Sequence, residues 1–222
     1  MTLRKKFSIV ELMIVVAVIA IIISIATAAV LRSRVYANET STIASLRSTI
    51  TSQATMLQSV IKDRDSDGRG EFGFYTELGG VLSIPTQGGT GNPIDPALIS
   101  SALGITSRIG SGIATHSGYH FQIYLPAGNG TGPAIEELGV VVPPIASAGE
   151  IDAQEIRWAV YAWPASVGIS GNKSFFASYK LEILFTSNFD TATDTYVYGG
   201  AGKPESGDIY NVAVTDLETE VV

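Results

Sequence analysis

The 222-residue chain has no cysteine. Disulfide staples, thiolate metal sites and thiol or redox catalysis are therefore excluded, and any part outside a membrane must hold by its core or by a metal. Histidine is nearly as scarce, with only His116 and His120. Both fall in a stretch of strand-like period, where residues four apart stand roughly 13 Å from each other, so a shared metal is not expected. Neither a Gly-x-Ser-x-Gly elbow nor a P-loop occurs, and nothing else in the spacing points to an enzyme. Basic residues are few and unevenly placed. Five of the fourteen lie up to Arg34 beside one acid, which leaves nine against twenty acids in the rest of the chain. An acidic surface of that kind argues against nucleic acid as a partner and favours divalent cations.

Proline and glycine are absent from residues 7–62, which predicts one helix of about 55 residues, roughly 80 Å long. Its first part is almost without charge. The run from Leu12 to Leu31 has none and is long enough for the roughly 30 Å hydrocarbon core of a bilayer. Arg4, Lys5 and Lys6 precede it and predict a cytoplasmic N-terminus, with the bulk of the chain on the far side. Farther along, Ile43, Leu46, Ile50, Ala54, Leu57 and Ile61 recur at spacings of three and four. That stripe is expected to pack on a globular head, with the Ser, Thr, Gln and Arg of the opposite face in water. One acid, Glu11, interrupts the apolar run at its cytoplasmic edge, where a carboxylate is expensive and normally has a partner.

Basic residues, then Phe7-Ser8-Ile9-Val10-Glu11-Leu12-Met13-Ile14-Val15-Val16 and an unbroken aliphatic helix, resemble the start of type IV pilins and type II secretion pseudopilins. The resemblance is specific over roughly residues 4–31. It implies a peptidase cut just before Phe7, methylation of the new amine, and pairing of Glu11 with the amine of a neighbouring subunit in a helical fibre. A buried acid in such a fibre needs a cation, and that amine is one. The family is cut after a glycine, whereas Lys6 stands at that position here. An ordinary uncleaved signal anchor is the plainer alternative; the apolar core is too long for a secretory signal peptide.

Residues 62–73 read KDRDSDGRGEFG. Asp63, Asp65 and Asp67 followed by Gly68 match the first half of an EF-hand calcium loop, with carboxylates on alternate residues and a glycine at the sharp turn. The second half fails, because Phe74 holds the place of the bidentate glutamate; Glu71 or Glu77 could substitute only in a different geometry. The same acids could instead cap the amides of a glycine-rich turn. The segment also looks like a recurrent feature of pilin-like proteins from planctomycete bacteria, as do Gly118-Tyr119-His120-Phe121 and Arg157-Trp158-Ala159-Val160-Tyr161-Ala162-Trp163-Pro164.

Residues 79–118 read as connecting structure, with one short helix expected from Asp95 as N-cap to Gly104. From Gly118 the period becomes two. Strands are predicted over 119–125, 138–142, 156–163, 174–185 (one or two), 195–198 and 209–214, in an antiparallel meander. One face would cover the helix stripe and the other would meet water or neighbouring subunits. Trp158 is expected in the core and Trp163 at an edge or subunit contact. Adjacent Glu136 and Glu137 would point to opposite faces of a strand, which is unsuited to paired acid catalysis.

The sequence thus predicts an α+β fold: a leader at 1–6, a long helix at 7–62, a head at 63–215 and a frayed tail at 216–222. The expected role is a non-enzymatic fibre subunit in protein secretion, held in the bacterial inner membrane with its head in the periplasm. Expected partners are further pilin-like subunits, the prepilin peptidase, a secretion assembly platform and the membrane, with calcium a candidate cofactor. The alternative is an anchored module that binds calcium or glycan and does not polymerise.

Overall fold

In the computed structural model, residues 8–86, 89–104, 112–128, 135–137, 148–190, 195–200, 202–204 and 220–221 are described. Helix α1 (Ile9–Gln58) is one unbroken helix of 50 residues, about 75 Å long at 1.5 Å per residue. It begins two residues later and ends four earlier than the sequence predicts. Ser59 caps it with a backbone bond to Thr55 O, and Val60 turns left-handed at φ 50°, a conformation that a β-branched residue rarely adopts. Ile61 and Lys62 therefore lie beyond the helix. Short elements follow: α2 (Tyr75–Leu78), β1 (Pro85–Thr86), β2 (Gly89–Thr90) and α3 (Ser101–Gly104). Helix α3 stops where expected but starts six residues after Asp95, which precedes a cis peptide bond to Pro96.

The remaining elements are β3 (Ala114–His116), β4 (Tyr119–Leu125), β5 (Ile135–Glu136), α4 (Ala148–Ile156), β6 (Ala159–Pro164), β7 (Ser174–Ser178), β8 (Ile183–Thr186), β9 (Phe189–Asp190), β10 (Thr195–Tyr196) and β11 (Glu220–Val221). The main sheet runs β11-β8-β7-β6-β4-β3, with β5 also on β4, and every pair is antiparallel. This is the predicted meander, except that the strand expected at 195–198 is β10, which pairs with β9 in a separate two-stranded sheet; two further elements are additions. Helix α4 occupies the connection before β6, where the sequence predicts a strand from Ile156. And part of the expected tail, Glu220–Val221, pairs with Phe185 and Leu184 as an edge strand. The predicted strands at 138–142 and 209–214 lie outside the described residues.

Two layers make the core. Tyr119, Phe121, Ile123 and Leu125 of β4, Trp158 just before β6, Val160 and Ala162 of β6, and Phe175 and Ala177 of β7 are buried in one cluster with Leu46 and Met56 of α1. Ile43, Ile50, Leu57 and Ile61 are only partly buried against it. The buried stripe of α1 is instead Val35, Glu39, Thr42, Ser45, Leu46, Thr49, Ser52, Gln53 and Met56, rotated into the face predicted to meet water. Its polar groups are satisfied in place. Thr42, Ser45 and Thr49 each donate to the carbonyl four residues back, at 2.9, 3.0 and 3.0 Å. Ser52 donates to Leu98 O at 2.7 Å, and Gln53 exchanges two hydrogen bonds with Gly73.

The far face of the sheet is not left to water either. Tyr124 and Ala159 are buried there, with Tyr161 and Phe176 packed against them. The Tyr124 hydroxyl donates to Pro204 O and the Trp163 indole to Gly200 O. Residues from the 195–204 region thus cover part of that face. Trp163, 1 % exposed, is a core residue rather than the edge or subunit contact the sequence suggested. Trp158 is buried as expected.

Candidate functional site

At the start of α1 the residues preceding the helix fix its first turn. Ser8 is the N-cap: its Oγ accepts from the Val10 N–H at 3.3 Å. Glu11 reaches back to accept the Ser8 N–H with Oε2 at 3.0 Å. This is a capping box, which satisfies otherwise orphaned donors and sets a negative charge at the positive end of the helix dipole. Glu11 therefore has a partner within its own chain, which the sequence reading did not foresee. Lys6 and Phe7 lie outside the described residues. Beyond the cap, the large apolar side chains from Ile9 to Leu31 stand exposed. The helix is long and apolar enough to cross a membrane.

After α1 the chain folds into a tight acidic loop. Asp63, Asp65 and Asp67 come together, with one carboxylate oxygen of each within 4.8 Å of the others. The acids also hold the turn. Asp63 accepts from the N–H groups of Ser66 (2.6 Å) and Gly68 (3.2 Å), Asp65 from Asp67 N–H (3.3 Å), and Asp67 from Arg69 N–H (2.8 Å). Both sequence-level readings of these three residues thus share one geometry.

Glu71 does not join them. It is fully buried and its carboxylate accepts from Arg64 N–H at 2.7 Å and Arg64 Nε at 2.6 Å. Arg64 also donates to Gln154 at 2.5 Å. A buried acid takes the nearest guanidinium because an unpaired charge there is prohibitive, so Glu71 is removed from the candidate calcium ligands.

Helix α4 supplies what the loop lacks. Carboxylate oxygens of Asp65, Asp152 and Glu155 lie within 4.8 Å of one another. Glu155 is 6 % exposed, and its Oε1 has no hydrogen-bond partner among the described residues. Burial and the carboxylates of Asp67, Asp65 and Asp152 push its carboxyl up to about 7, against the pull of Arg69. No periodicity marked Asp152 or Glu155 in the sequence. The one available signal was the incomplete EF-hand pattern, which calls for an acid from elsewhere.

A second buried charge group braces the head. Lys62, 1 % exposed, donates to Glu77 Oε2 at 3.1 Å and to Phe72 O at 3.3 Å. Nearby, Glu137 accepts from the Thr76 N–H (3.2 Å) and the Thr76 hydroxyl, and its Oε2 has no partner. Burial, the larger cause, together with the Glu77 charge pushes its carboxyl up to about 7, against the hydrogen bonds from Thr76. His120 is bonded to Thr115 across the β3–β4 pair at 2.8 Å, and burial lowers its pKa.

Compared with protein-family models, curated proteins and solved structures, the chain matches none.

Proposed function

We propose that this protein is a structural subunit of a pilus-like or pseudopilus fibre, anchored and assembled through the first half of α1, and not an enzyme. The observation that supports it most is the division of one helix into two environments. From Val35 onward α1 buries a stripe against the head. Before that, apolar side chains on every side stand exposed, with a single carboxylate at the first turn. Such a surface suits lipid before assembly and neighbouring helices after it, where burial of aliphatic area supplies association. In this role the basic residues Arg4, Lys5 and Lys6 favour a cytoplasmic N-terminus, with the acidic head in the periplasm of a bacterial inner membrane. A peptidase acting before Phe7 and a secretion assembly platform are the partners this role requires.

The capping box favours a second reading, an anchored module that does not polymerise, because Glu11 is satisfied within its own chain. Two substitutions separate the readings. Glutamine preserves a capping box but has no charge, whereas alanine removes both. In the fibre, Glu11→Gln loses intersubunit crosslinks between α1 helices as completely as Glu11→Ala does. If Glu11→Gln crosslinks like the parent chain and only Glu11→Ala fails, Glu11 is a cap and the fibre reading loses its pairing. Mass spectrometry of the N-terminus adds an independent check: methylated Phe7 is expected, and an intact Met1 opposes processing.

A further inference from the structure

The acidic loop and α4 meet around a carboxylate oxygen that no donor among the described residues serves. Glu155 is buried, and its Oε1 is that oxygen. Its Oε2 lies 3.7 Å from Nη1 of Arg69, whose side chain is 73 % exposed. A contact of that length to a solvated guanidinium is a weak counter-charge. The other neighbours are acids: Asp65 and Asp152 within 4.8 Å, and Asp63 and Asp67 beside Asp65. Arg64 is committed to Glu71 and Gln154. A buried carboxylate with a bare oxygen, set among further carboxylates, is costly unless a cation stands between them.

We infer that Asp65, Asp152 and Glu155 bind one calcium ion, which ties the loop after α1 to α4. The donors are all hard oxygens, which exclude the softer transition metals by preference. Oxygens on opposite sides of a calcium ion stand roughly 4.6–5.2 Å apart, whereas magnesium holds its ligands to about 4.2 Å and keeps most of its water. Three carboxylates within 4.8 Å of one another are close enough to share one ion, and the number of anionic oxygens favours calcium over a magnesium that keeps its water. Asp65 is the one loop aspartate that belongs to both carboxylate groups, while Asp63 and Asp67 hold the turn around it. The acid an EF-hand loop carries at its twelfth position comes here from a separate helix, and Phe74, which holds that position, is buried in the core. A shallow hollow lined by Leu57, Val60, Gly70, Arg69, Glu155 and Ile156 reaches one of the three ligands, Glu155. The ion's effect is mechanical: it locks α4, and through it the start of β6, to the end of the long helix. This site does not depend on fibre assembly.

The test uses the full chain in detergent, stripped with chelator and then titrated with calcium chloride or magnesium chloride. Calorimetry should show one calcium bound per chain, and the unfolding midpoint should rise with calcium and much less with magnesium. Glu155→Gln removes the buried charge, so its midpoint in chelator should equal or exceed that of the parent while the calcium-induced rise disappears. Asp152→Asn alters an exposed residue that leaves the core intact; it should weaken calcium at least tenfold. Arg69→Gln removes the competing cation and should tighten it. A parent midpoint unchanged by calcium, or a full calcium response in both Glu155→Gln and Asp152→Asn, overturns the site.

Discussion

Arg64 and Glu71 show how far a single residue can be read from its neighbours in sequence. Asp63, Asp65 and Asp67 were legible as a group because alternate acids before a glycine fold back on one another locally. Glu71 carries the same charge at a plausible distance, yet its partner is decided by where Arg64 is buried. Glu71→Ala strands that guanidinium and should lower stability by about 3–5 kcal/mol, measured by denaturant unfolding, without weakening calcium. Gly171 is equally silent in sequence. A Cβ there would strike the Tyr119 ring and hydroxyl, which donates to Lys173 O. Gly171→Ala should cost about 1–3 kcal/mol by overpacking. Glu137 gives a prediction in pH. Its carboxyl rises from 4.5 to about 7 on folding, so the folded state binds the proton more tightly than the unfolded chain. Its contribution is complete below about 4.5 and is lost as pH rises through about 7. The difference in midpoint between Glu137→Gln and the parent should be small at acid pH, grow in favour of the glutamine between about 4.5 and 7, and level off above that.

At the level of elements, α1 was legible in extent but not in facing. Its length follows from an uninterrupted run without glycine or proline, a property of local sequence. Its facing depends on which polar groups find partners, and hydropathy counts Thr49, Ser52 and Gln53 as solvent residues. In the fold the threonine and serine hydroxyls return to the helix's own carbonyls or to a facing loop, and small side chains let the sheet approach closely. Gln53 bears most on this packing. It is fully buried, and both ends of its amide bond to the Gly73 backbone at 2.7 and 3.0 Å. Gln53→Ala leaves a buried N–H and carbonyl unserved, with an expected loss of about 2–4 kcal/mol. Gln53→Leu, which hydropathy would favour, should lose a similar amount because it fills the volume without serving Gly73. A leucine variant as stable as the parent would mean the polar stripe is incidental. Strands β4, β6 and β7 were legible through period two, but burial on both faces was not. Residues that cover part of the second face, Gly200 and Pro204, are remote in sequence and bond through their backbone carbonyls, which hydropathy does not register. Helix α4 was missed because its nine residues AGEIDAQEI are too few and too mixed to establish a helical period.

For the whole molecule, the division of α1 separates what holds the head together from what binds it to anything else. No described residue before Val35 is buried, and the core cluster begins at Leu46. Asn38 and Glu39, which bond to Ser170 O and to the Asn172 N–H at 2.8 and 3.2 Å, mark where the head first grips the helix. The apolar half of α1 was therefore legible early and the head's outer limits were not, since a long apolar run declares itself while an edge strand such as β11 depends on its partner. A chain beginning at Val35 should fold with an unfolding midpoint within a few degrees of the full chain, because no described residue of the removed segment is buried. It should also run as a monomer in water by light scattering, whereas the full chain in mild detergent associates. If the truncated head still self-associates with comparable affinity, assembly resides on the head surface. Exposed Ile156, Ile169 and Leu181 would then replace the N-terminal helix as the surface to mutate, and the exposed half of α1 would be left with the bilayer as its only solvent.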